Sequence, residues 1–177
     1  VSGIGQPDVK DVSPILASDG KLYLAYGVAD PAGDTGLRFV RSDDFGQTWT
    51  TPKVLVTSGD PSLGVTRVHV ATGGPGAAAI IYRGNGDSDP WVVATSDSGV
   101  TWTVPQRIDS GVAVRSAPCS GERIAMDAAG RIYAVFVQNR GSGSGLFYTR
   151  STNGGVSFSA ELAMPLPAHQ NSAGPDL

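Results

Sequence analysis

The sequence predicts an all-β chain of three four-stranded antiparallel blades, the unit from which propellers are built. Three observations carry that expectation. An eight-residue phrase is written three times, as "SDDFGQTW" at 42–49, "TSDSGVTW" at 95–102 and "STNGGVSF" at 151–158. Its acidic or amide positions, Asp44, Asp97 and Asn153, lie about 53 and 56 residues apart, and a period of that length marks a supersecondary unit repeated in an array. Between the phrases, short runs rich in Val, Ile, Leu, Tyr and Phe are broken by Gly, Asp, Ser and Pro, without helical periodicity.

Each repeat reads as the same four elements. "SPILASDGKLYLAY", "RVHVATGGPGAAAIIY" and "RIAMDAAGRIYAVF" are strand, Gly-containing turn and second strand. A third strand follows as "LRFVRS", "WVVATS" or "LFYTRS", and after the phrase a fourth as "TTPKVLV", "TVPQRID" or "SAELAMP". Four antiparallel strands are the content of a propeller blade. The blades run over about 11–57, 64–109 and 119–164 within a single unit of 1–177, and 165–177 reads as the start of a further blade or a latch strand.

The phrase falls between third and fourth strands, so it is a hairpin turn. Asp44, Asp97 and Asn153 can accept from backbone N–H groups ahead of them, as Asx turns do. Gly46, Gly99 and Gly155 supply a positive φ. The hydroxyls of Ser42, Thr95 and Ser151 can tie down the entering strand, with Thr48, Thr101 and Ser157 on the far side. Trp49, Trp102 and Phe158 are expected to cover the join between neighbouring sheets. A turn present in every blade cannot be one active site, so the repeated carboxylates read as fastenings.

Composition narrows the function. Hydrophobic residues make up 40% and charged residues 16%, which excludes a disordered polymer, and no apolar run has the length of a membrane-spanning helix. A net charge of −3 argues against nucleic acid, which needs a basic face. The single Cys119 cannot form an internal disulfide. His69 and His169 show no clustered partner, so neither a metal site nor a cofactor is expected. The chain opens on Val1, which reads as a processed or excised piece.

The phrase resembles the Asp-box, or bacterial neuraminidase repeat, over nearly the whole chain. Its third copy differs mildly at Asn153, Ser157 and Phe158. The resemblance implies a sialidase-like propeller, six-bladed in sialidases, whose substrate pocket lies on the face opposite these turns. That face would gather 27–36, 57–67, 83–90, 109–123 and 138–145. Sialidases bind the sugar carboxylate with three arginines, because a guanidinium fork matches it. By that resemblance Arg67, Arg123 and Arg115 are the binding candidates, and Asp60 and Asp87 the acid/base candidates. The alternative for Arg123 is a structural ion pair with Glu122 or Asp127. The family's Arg-Ile-Pro opening corresponds here to Val12-Ser13-Pro14, and no tyrosine stands out as a nucleophile.

Three readings therefore stand: a glycan-recognising propeller unit, part of an active glycoside hydrolase, and a pure assembly module. An extracellular or periplasmic setting is expected. Three blades are half of a six-bladed ring, so self-association as a homodimer, or a missing second half, completes the expectation.

Overall fold

A computed structural model describes residues 8–29, 35–57, 65–84, 89–110, 121–139 and 144–165. They form three four-stranded antiparallel sheets, each wound in chain order from its first strand outward. The first holds β1 (Asp8–Leu16), β2 (Leu22–Ala29), β3 (Gly36–Ser42) and β4 (Lys53–Thr57). The second holds β5 (Thr66–Thr72), β6 (Ala78–Arg83), β7 (Pro90–Thr95) and β8 (Gln106–Arg107). The third holds β9 (Arg123–Met126), β10 (Ile132–Asn139), β11 (Ser144–Ser151) and β12 (Leu162–Ala163). The fourth strands are shorter than their sequence suggests, because β8 and β12 pair over two residues each.

Side-chain alternation gives each sheet two faces, and the second sheet sends its two to two neighbours. Tyr23, Ala25, Leu37 and Phe39 of the first sheet meet Val68, Ile80, Tyr82 and Val93 of the second in one core. The opposite face of the second, with Ile81, Val92 and Ala94, meets Ile132, Ala134 and Phe136 of the third in another. The innermost strands are stitched as well as packed. The Val68 N–H donates to Asp11 Oδ2 at 3.1 Å, and the Val70 N–H donates to Ser13 Oγ at 3.0 Å.

The three phrase turns share one geometry. Ser42 Oγ donates to Asp44 Oδ1 at 2.7 Å and accepts from the Gly46 N–H at 2.8 Å. Thr95 and Ser151 repeat this with Asp97 and Gly99, and with Asn153 and Gly155. On the far side Asp44 accepts from the Thr48 N–H and hydroxyl, and Asp97 from those of Thr101. Asn153 keeps the fold of the turn with the polarity of one bond reversed. Its Oδ1 accepts from the Ser157 N–H, while its Nδ2 donates to Ser157 Oγ at 2.8 Å. Phe45 and Ser98 also take positive φ, at 58° and 60°, where the third copy has Gly154. The sequence reading had assigned that conformation only to the glycine that follows.

Each later turn locks onto the preceding sheet. The Phe39 ring meets Trp102 edge-on at 5.0 Å, and Arg41 Nη1 donates to the Ser98 carbonyl at 2.8 Å. Phe158 packs into the joint between the second and third sheets. Trp49 departs from the expectation: it is 43% exposed, since among the described residues no sheet lies against it.

Two outcomes follow. A Cβ on Gly99 would strike the Phe39 ring, whereas one on Gly46 meets nothing closer than Leu22 at 3.5 Å. Gly46→Ala should therefore cost about 1–2 kcal/mol from backbone strain alone. Gly99→Ala should cost roughly 1–3 kcal/mol more through overpacking; equal losses in denaturant titrations would contradict the joint. Hydrogen bonds, first from the Thr48 and Thr101 hydroxyls, hold the carboxyls of Asp44 and Asp97 at about 2. A folded pKa below the unfolded value of 3.8 means stability present above about pH 4 and lost as pH falls through about 2. Asp44→Asn/Asp97→Asn should flatten that loss, read by acid titration of the fold.

Candidate functional site

The face opposite the phrase turns is where the sequence places function. Several of its candidates, Asp60, Asp87 and Arg115, lie outside the described residues, as do Cys119 and His169. What the structure describes there is the set of strand ends that carry those loops.

Arg67 is the second residue of β5, and it sits in a β-bulge: the register with β6 shifts between Thr66 and His69. Its φ is 55°, a conformation that costs a side-chain-bearing residue energy and re-aims the chain locally. Among the described residues the Arg67 side chain has no ion-pair or hydrogen-bond partner. Arg123 opens β9 and is exposed, and its Nη1 meets His69 Nε2 at 3.1 Å and donates to the Glu122 carbonyl at 2.7 Å. Its Nε and Nη2 have no partner among the described residues.

The alternative for Arg123, an ion pair with Glu122 or Asp127, is not formed. The Glu122 carboxylate pairs instead with Arg83, the last residue of β6, and both side chains are almost wholly buried. Asp127 pairs with Arg131 at 2.6 Å within the first turn of the third sheet. Arg83 also donates from Nη2 to the Val137 carbonyl at 3.2 Å, while its Nη1 is buried without a partner. Sequence alone gave Arg83 no signal, since it closes an apolar strand with its partner 39 residues away. Nearby, Arg107 joins Asp89 at 2.7 Å and Asp109 at 2.5 Å, and Gln138 donates to Asp109. Asp89 is thereby engaged structurally.

His69 changes most from the sequence reading, which gave it no clustered partner. A guanidinium only donates, so Nε2 of His69 must accept and the ring proton resides on Nδ1. Desolvation holds its pKa below the usual value, and the charge of Arg123 lowers it further. Arg67 acts in the same direction, and Asp11 and Glu122 oppose it. The charges of Arg67, Arg123, Asp11 and Glu122 thus all act on one imidazole, which Arg123 alone touches.

Burial raises the pKa of Tyr82, and Tyr23 lies fully buried beside Phe39. Tyr133 donates to Asp127 at 3.2 Å. Ser13, in the stretch aligned with the family's first arginine, serves the joint to β5. Among the described residues no group of three or more His, Cys, Asp or Glu side chains could hold a metal.

No protein-family model matches the sequence, and no curated protein matches it. Solved structures do. An α-L-arabinanase of Penicillium chrysogenum complexed with arabinobiose superposes with a TM-score of 0.61 at 13% identity, over 92% of this chain and 51% of its own. An α-L-arabinofuranosidase of Fusarium graminearum with arabinobiose gives 0.59 at 16%, over 91% and 50%. The NanB sialidase of Streptococcus pneumoniae gives 0.59 at 11%, over 91% and 40%. The chain therefore has a sialidase-like β-propeller fold and spans about half the length of these enzymes or less. At such identities the likeness concerns fold alone.

The environment of His69 can be checked directly. Its NMR titration midpoint should fall below that of an ordinary histidine and rise in Arg123→Ala, which removes a lowering charge. An unchanged midpoint in that variant would contradict the contact.

Proposed function

We propose that this chain is an Asp-box propeller unit that recognises acidic glycans through the face opposite its phrase turns, without a complete hydrolytic apparatus. The supporting observation is the pair of arginines at the inner strand ends. Among the described residues Arg67 is unpaired on a strained bulge, and Arg123 is held by one nitrogen with the rest of its fork unengaged. A carboxylate is the partner such a fork suits, accepting two parallel N–H bonds. Arg115 is assigned to the same task by its position in the loop before β9. The repeated turns and the sugar-processing enzymes of the same fold support a glycan rather than another acid.

The restriction to binding has its own grounds. Tyr23 and Tyr82 are occupied by packing and Tyr133 by Asp127. Asp89 is engaged by Arg107, and Asp60 and Asp87 stay as acid/base proposals on the enzymatic reading.

Titration with N-acetylneuraminic acid and with neutral arabinobiose, followed by NMR, tests this. The acidic sugar should bind and the neutral one should not, and Arg67→Ala or Arg123→Ala should weaken binding about tenfold or more. Binding of neither sugar would favour a pure assembly module. Sustained hydrolysis of a fluorogenic sialoside, abolished by Arg67→Ala, would establish the enzyme instead.

A further inference from the structure

We propose that the outer face of the third sheet is a docking surface for the outer face of the first sheet of a second copy, so that two chains close one ring. The inference rests on the two internal joints and is independent of any glycan.

The turns that end each first strand fix which residues correspond. Ala17, Gly73 and Asp127 make the same backbone bond four residues on, to Lys21, Ala77 and Arg131. On that alignment the half of the first joint supplied by the second sheet, namely Val68, Ile80, Tyr82 and Val93, matches Val12, Leu24, Tyr26 and Val40 on the outer face of the first sheet. The half supplied by the first sheet, namely Tyr23, Leu37, Phe39 and Leu55, matches Tyr133, Leu146, Tyr148 and Met164 on the outer face of the third. One open face is thus a copy of one side of a working joint, and the other is a copy of its mate. In a single chain Val12 is 56% exposed and Met164 43%, while Leu24, Tyr26, Tyr133, Leu146 and Tyr148 are half-buried and Val40 is buried.

The polar details fit as well. In the first joint Phe39 receives Trp102, and Arg41 reaches the Ser98 carbonyl. Their counterparts across the proposed joint are Tyr148 against the exposed Trp49, and the exposed Arg150 against the carbonyl of Phe45, which shares the left-handed conformation of Ser98. Along the inner strands, Asp11 and Ser13 accept from the N–H groups of Val68 and Val70. The third sheet has Gly121 and Arg123 there, neither of which offers a side-chain acceptor. None is required, because the Val12 N–H is already held by Asp11 Oδ1 at 2.9 Å and Pro14 has no N–H.

A head-to-tail joint of this kind would build an open chain unless the rotation closes. Three sheets account for about half of the arabinanase and arabinofuranosidase chains of the same fold, so two copies supply the whole turn. Each copy then contributes both faces, and a two-fold axis relates the two joints.

Light scattering and sedimentation of the 177-residue chain over micromolar concentrations decide the matter. A dimer is expected. Arg150→Ala should weaken it about tenfold or more, by removing a charge-assisted bond. Val12→Glu and Met164→Glu should each weaken it at least about a hundredfold by burying an unpaired charge. Both positions are exposed in the single chain, so circular dichroism should retain the β signal of the parent. A monomer throughout, a mass that climbs past two copies with concentration, or a dimer indifferent to both glutamates would each overturn the proposal.

Discussion

A sheet with two apolar faces cannot stand alone in water, and that constraint organises this molecule. Hydrophobic burial is proportional to area and indifferent to direction, so it demands neighbours without specifying them. Specification comes from the phrase turn. By holding Gly99 against the Phe39 ring and presenting the Ser98 carbonyl to Arg41, the turn sets the distance and angle at which one sheet meets the next. The small residue at 155 does the same against Ala94, where a Cβ would come within 2.7 Å. The inner stitching through Asp11 and Ser13 fixes the other end of the joint.

The same arrangement explains where charge collects. First strands converge, so the residues that open them approach one another across sheets. His69 of β5 meets Arg123 of β9, and the carboxylate of Asp11 reaches β5 from β1. Arg83 and Glu122 are buried between the second and third sheets, and losing one would leave the other charged and unpaired, a costly state. The bulge at Arg67 stores local backbone strain beside this cluster, and a strained residue persists only where its surroundings fix it.

Much of this was legible in the residues because the repeat samples the same environment three times. The strand order, the hairpin position of the phrase and the roles of Ser42, Asp44 and Gly46 follow from local chemistry that a turn must satisfy wherever it occurs. What escaped were relationships between repeats. The pairing of Arg83 with Glu122 and of Arg123 with His69 spans 39 and 54 residues, and neither has a local pattern to betray it. The exposure of Trp49 is of the same kind: its motif matches that of Trp102, yet its burial depends on a neighbouring sheet. The left-handed Phe45 and Ser98 were missed because their residue types disfavour that conformation, and only the turn's bond network imposes it.

The brevity of β8 and β12 has a consequence at the rim. An outermost strand ordinarily offers a row of unpaired amides to any passing polypeptide, and long flat edges seed fibres. Here two-residue strands leave little edge to copy. Pro105 stands just before β8 and Pro165 shortly after β12, positions where no N–H exists to donate to an added strand. Arg107 and Glu161 add charge at the same places. Around the second and third sheets the perimeter is thereby closed to templated growth, and recruitment of further chains there is confined to sheet faces, where side-chain shape decides what is admitted.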